Sequence, residues 1–185
     1  MAHVPYGMSL LSGLRGGSDV GFDGYGTFVP EHVPDPGPFL SETAVLTGSD
    51  HAAFHRLTMD LFDERGVYDM TFGYNLARLN LDHRHPDAGF RYGRETDDGR
   101  VLRAEFTPTT EFCPQSDTLT VGAFRAWNGL SDRHEYDLVR VRVSAQHHQS
   151  ADINDRLQRL EAEYRRTGEL RADDGADSSG DDVPF

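Results

Sequence analysis

The run Pro30-Glu31-His32-Val33-Pro34-Asp35-Pro36-Gly37-Pro38 sets the strongest limit on how this chain folds. Each proline fixes its φ angle and lacks a backbone N–H, so the run sustains neither a helix nor a central strand. Residues 1–48 hold nine of the 19 glycines and five of the nine prolines. They read as an extended arm with apolar anchors at Tyr6, Leu10, Leu11, Leu14, Phe22, Tyr25, Phe28 and Phe39. Such an arm is expected to drape over the domain that follows, with docking on a partner as the alternative.

The far end is also irregular. Residues 168–185 carry six acids and one arginine among glycine and serine, the composition of a disordered acidic tail. A folded domain is left at residues 49–167.

Within it, Ser49 and Asp50 can cap a helix from His51 to about Glu64, ended by Gly66. Residues 67–72 and 75–81 read as extended, and His83–Gly89 reads as a turn around Pro86. Asp97-Asp98-Gly99 marks a hairpin between strands at 90–94 and 101–106. Cys113-Pro114 opens a helix with Leu119, Ala123, Trp127 and Leu130 on one stripe. Residues 136–143 alternate as a half-buried strand, and Ser150 or Asp152 caps a final helix with Ile153, Leu157, Leu160 and Tyr164. The order helix, two or three strands, helix, strand, helix predicts a small α/β (α+β) domain on a mixed sheet. Its strand–helix–strand crossover places the strands near 101 and 143 parallel.

Charge narrows the function. The chain has 31 acids, 21 Asp and 10 Glu, against 18 basic residues that are all Arg, for a formal charge of −13. Non-specific binding to nucleic acid or to an anionic membrane is disfavoured. No stretch approaches the ~20 apolar residues that span a bilayer, and no basic flank precedes an apolar run as in a secretory signal. A Lys-free, Asp-rich surface points to a salt-loving, archaeal cytoplasm. A GC-rich genome would explain the arginines but not the acid excess.

The lone Cys113 excludes an internal disulfide framework and a metal cluster held by this chain's thiolates alone. It follows a strand and a Pro/Thr-rich loop at the expected start of a helix, where unpaired N–H groups and the dipole favour a thiolate. Hydroxyls of Thr107, Thr109 and Thr110 stand ready to bond it. A thiolate there can ligate a soft metal or attack an electrophile. A buried thiol that only packs is the plain alternative.

The stretch Glu105-Phe106-Thr107-Pro108-Thr109, with Cys113 four residues on, resembles the signature of the SufT/PaaD-like metal–sulfur cluster biosynthesis proteins. These are relatives of the targeting proteins of cytosolic iron–sulfur assembly. Gly66-Val67-Tyr68-Asp69-Met70 is similar to an early strand of that family. His147-His148-Gln149-Ser150, with Ile153, Asn154 and Leu157, resembles the lead into its last helix. The resemblance covers roughly residues 55–165.

It implies assembly or delivery of iron–sulfur clusters, with Cys113 as the functional thiol and transient ligand of iron or a cluster. Thr107, Thr109 and Thr110 would shape the loop. His147, His148, Ser150 and Asn154 would stand near the partner or ligand surface. The implied partners are iron–sulfur apo-proteins or assembly-machinery proteins, and a homodimer. An adaptor or carrier is implied more than an enzyme.

Two other classes compete. A cysteine-dependent hydrolase needs a histidine beside Cys113, for which His134 and His147 are candidates. An adaptor domain would keep Cys113 buried and inert. Among other histidines, His51 and His55 share a helix face at i, i+4, and His83 and His85 flank Arg84 in a turn. The first pair is expected at the surface near a helix start and the second in a turn, each before metal binding.

Overall fold

The computed structural model describes residues 20–171. Strand β1 (Thr43–Val45) precedes helix α1 (Gly48–Arg65), which is followed by a two-residue hairpin of β2 (Tyr68–Asp69) and β3 (Tyr74–Asn75). Strands β4 (Gly89–Glu95) and β5 (Val101–Thr107) lead to helix α2 (Ser116–Gly129), strand β6 (Leu138–Val143) and helix α3 (Ser150–Thr167). The main sheet has the order β1-β4-β5-β6. Its first two pairings are antiparallel, and β5–β6 is parallel. This is the mixed α/β architecture expected.

Local chemistry explains most boundaries. Gly66 ends α1 in the left-handed region at φ 68°, donating to the carbonyls of Asp63 and Phe62. Asp98 closes the β4–β5 turn by accepting from Val101 N–H at its carbonyl (3.0 Å) and from Arg100 N–H at its carboxylate (3.0 Å). In register, Leu102, Ala104 and Phe106 lie beside Val139, Val141 and Val143, which builds one apolar face. Against it pack Phe62, Phe124 and Trp127, each fully buried. The Trp127 indole N–H donates to Thr58 Oγ1 (3.1 Å), so its single donor is satisfied inside the core.

Three asparagines complete the backbone pairing from outside the strands. Asn80 bonds both the N–H and the carbonyl of Phe90. Asn128 does the same for Val139 and Asn154 for Val143. An amide side chain presents one donor and one acceptor, as a neighbouring strand would.

Several expectations are corrected. Helix α1 starts at Gly48 after Thr47, ahead of Ser49, and α3 starts after Gln149; neither has a side-chain cap. The extended run at 67–72 stops at Asp69, whose carboxylate accepts from the N–H groups of Thr71 and Phe72 and folds the chain into a turn. Residues 76–81 are a 3₁₀-helix, entered where Asn75 accepts from Ala77 N–H. The second long helix begins at Ser116, because Cys113 to Gln115 first make single turns.

From residue 20 the arm lies on the domain. Thr43–Val45 pairs with Glu95–Gly93 as an edge strand of the sheet. Buried Glu105 accepts N–H bonds from Gly37 (2.7 Å) and Phe39 (3.3 Å), and Arg91 donates to Pro34 O (2.9 Å). Val33 and Leu40 are buried, Phe28 packs on His51, and Tyr25 is exposed. Tyr6, Leu10, Leu11, Leu14 and the tail from residue 172 lie outside the described residues. Among the described residues no helix is long and apolar enough to cross a membrane.

Candidate metal centre

Val29-Pro30-Glu31-His32 is a tight turn closed by His32 N–H on Val29 O (2.9 Å), with proline at its favoured second position. It aims His32 back toward Asp23. Phe22 forms an isolated antiparallel bridge with Asp82. The flanking bonds Asp23 N–H to Leu81 O and His83 N–H to Gly21 O are both 2.7 Å. This short ladder sets Asp23 and His83 beside each other, 60 residues apart in the chain.

One carboxylate therefore meets two imidazoles. Asp23 Oδ2 lies 2.6 Å from His32 Nδ1, and Asp23 Oδ1 lies 2.6 Å from His83 Nε2. The two rings are 4.4 Å apart between centroids. A donor atom from each of the three residues falls within 4.8 Å of the others. Asp23 is mostly buried, while His32 and His83 remain partly open to solvent.

A rigid base supports the cluster. The Asp82 carboxylate, fully buried, accepts from Arg84 Nε (2.8 Å), Arg84 NH2 (2.7 Å) and Tyr74 OH (2.8 Å). Burial alone would raise the Asp82 pKa, but these bonds hold it at about 2. Phe22 stands edge-on to Tyr74 and lies under the guanidiniums of Arg78 and Arg84. Beside Asp23 opens a cleft of about 520 Å³, walled by Tyr25, Tyr68, Tyr74, Asn75 and Arg78. Partial desolvation of this largely exposed ring, followed by the charges of Asp60 and Asp63, raises the Tyr25 pKa.

The residues singled out in the sequence sit elsewhere. Cys113 is half-buried, three residues ahead of α2. Its N–H donates to Thr110 O (3.3 Å), and its carbonyl accepts from Ser116 N–H (3.4 Å). His147 is buried. Its Nδ1 accepts from Gln149 N–H (3.1 Å), so Nε2 carries the proton and donates to the Cys113 carbonyl (2.9 Å). His147 thus reaches the backbone of Cys113. His148 Nδ1 lies 2.9 Å from Glu111 O, and its ring packs on Phe112.

Thr107 is buried at the end of β5, Thr109 is half-buried, and Thr110 is exposed. Ser150 opens α3, its N–H on His147 O (3.0 Å), and Asn154 is committed to Val143. His134, the other candidate base, bonds Trp127 O through Nε2 and accepts from Tyr136 N–H through Nδ1. Among the described residues, Cys113 belongs to no group of three or more metal-ligating side chains.

The other histidine pairs divide. His51 and His55 are buried, not on the surface. His55 Nδ1 meets Tyr92 OH at 2.6 Å and its Nε2 meets Ala77 O at 2.7 Å, while His51 Nδ1 has no partner. Burial lowers the pKa of His51 to about 3 and that of His55 to about 4. Of the His83 and His85 pair, His83 joins the cluster, while His85 packs on Phe72. Sequence reasoning did not single out Asp23 and His32 as candidate ligands. The available signal was the His83–Arg84–His85 turn, and its partners lie in the arm.

No curated protein and no solved structure matches the chain. The model of one family, described as a domain of unknown function (DUF7998), matches residues 20–171. That span starts just ahead of Asp23 and takes in the arm from residue 20, the sheet and the three α-helices, so the chain belongs to the DUF7998 family.

Proposed function

We propose that this domain binds a divalent transition metal, zinc or iron(II), through Asp23, His32 and His83. The observation that carries the reading is the convergence of two imidazole nitrogens and one carboxylate within 4.8 Å from separate segments. Imidazole with carboxylate suits these ions, and three protein ligands leave positions open, as catalytic sites do and closed structural sites do not. Such an ion lowers the pKa of bound water and polarises a carbonyl or phosphoryl oxygen. The cleft beside Asp23 offers a substrate a place of approach. The proposed role is therefore metal-dependent chemistry on a small molecule.

The test is titration of metal-stripped full-length protein with cobalt(II) and zinc(II), read by visible absorbance and calorimetry. One ion per chain is expected, with affinity falling at least tenfold in His83→Ala and in Asp23→Asn. Unchanged binding in both variants would overturn the reading.

A second reading keeps iron–sulfur assembly or delivery through Cys113. It is supported by a half-buried thiol beside the exposed ring of Phe112, at a strand–loop–helix junction. A partner would have to supply the remaining ligands, since one thiolate cannot hold a cluster. Anaerobic reconstitution with iron and sulfide, wild type against Cys113→Ala, addresses it separately. Cluster absorbance that persists in the variant removes Cys113 from the role.

A further inference from the structure

The sheet face opposite the core carries a row of arginines. Arg103 on β5 and Arg140 on β6 are direct partners in register, and Arg142 follows on β6. Like charges placed opposite each other on neighbouring strands repel, so counter-charges are needed. Glu95 takes Arg103 Nε (2.8 Å) and Arg140 NH1 (2.6 Å). Glu161 of α3 takes Arg140 Nε (2.9 Å) and Arg142 NH2 (2.8 Å). The Phe39 ring, brought in by the arm, lies 5.2–5.7 Å from all three guanidinium carbons.

Helix α3 adds Arg165 and Arg166, both exposed, whose carboxylate contacts at Glu161 and Glu163 are loose, at 3.9 Å. The five arginines and Phe39 line a cleft of about 790 Å³. The neighbouring acids are Glu95, Glu105, Glu161 and Glu163. Five cleft-lining arginines against these four acids leave the cleft locally basic, in a chain of net charge −13. Each guanidinium has five N–H donors in a planar fork that matches the spacing of phosphate oxygens.

We propose that this cleft is a binding site for a phosphate monoester, with its dianionic group held between the fixed row Arg103, Arg140 and Arg142 and the two loose arginines of α3. The locally basic cleft suits an anion, and the acidic surface around it disfavours anions elsewhere. The metal cluster is built from other residues, so the two sites stand or fall separately.

The experiment is calorimetric titration of full-length protein, in EDTA and at fixed ionic strength, with inorganic phosphate, glucose 6-phosphate and AMP. Saturable one-to-one binding of at least one probe is expected. It should weaken at least tenfold in the Arg165→Gln/Arg166→Gln double variant and stay unchanged in Arg133→Gln, a distant exposed arginine. Equal affinity for all three probes assigns the phosphate group alone as the ligand, and a clear preference assigns the rest of the molecule a part. No saturable binding of any probe, or equal binding by the double variant, overturns the proposal.

Discussion

His32 and His83 face each other with ring centroids 4.4 Å apart, each bonded to a different oxygen of the same carboxylate. One histidine comes from the proline-rich arm and the other from the turn before β4. Their meeting joins the arm to the domain at the point where ligand chemistry is possible.

A bound ion should therefore stabilise the fold as well as the site. At a hundredfold excess over Kd, a ligand of the native state adds about 2.7 kcal/mol. For a chain of this size that raises Tm by about 5–10 °C. Thermal scans of stripped protein with and without zinc should show the rise in wild type and lose it in His32→Ala. An equal rise in that variant places the ion elsewhere.

Acid should weaken the fold through His51 and His55. Their native pKa values, about 3 and about 4, lie below the free value of 6.5. Between those limits the unfolded chain binds more protons than the native one, so stability falls as pH falls below 6.5. The slope is at most about 1.4 kcal/mol per pH unit for each histidine. The groups facing the pair are Arg91 and Tyr92 of β4 and the ring of Phe28. Denaturant midpoints measured from pH 7.5 to 5 should fall less in His51→Gln/His55→Gln than in wild type. Parallel curves would show that the pair is not the source.

Glu161 is the shared counter-ion of Arg140 and Arg142, and both it and Arg142 are only 7% exposed at the side chain. Glu161→Gln keeps the shape but leaves a buried guanidinium uncompensated. A loss of about 3 kcal/mol is expected in urea unfolding. A loss under about 1 kcal/mol would mean that water reaches the row.

Asn128→Ala removes both bonds that the amide makes to Val139 and strands a buried N–H and a carbonyl at the outer edge of β6, away from β5. A cost of about 2–3 kcal/mol follows. Hydrogen exchange at Val139 should quicken more than exchange at Ala104 of β5. Uniform acceleration would point to global unfolding instead.

The elements that could be read from the sequence are those set by local chemistry. Gly66, Asp97-Asp98-Gly99 and the alternation of 138–143 each specify their structure within a few residues. The 3₁₀-helix at 76–81 escaped because Leu76, Leu79 and Leu81 suit several periods, and the deciding contact is an asparagine side chain one residue ahead. The helix after Cys113 was placed three residues early because Pro114 suits a helix start, and its preceding turns depend on Thr110 O. The candidate centre was hidden because Asp23 and His83, 60 residues apart, meet through the Phe22–Asp82 bridge, and a separate turn brings in His32. His51 and His55 looked exposed by spacing, but strand β4 and the arm cover them.

The hold of Glu105 on the amides of Gly37 and Phe39 ties the arm to the sheet. The chain upstream is anchored through a residue of β5, and two of the three proposed donors, Asp23 and His32, lie in that upstream piece. Under the proposed function, an ion at Asp23, His32 and His83 would bind only where the arm lies on the finished sheet, so occupancy would report that both are in place.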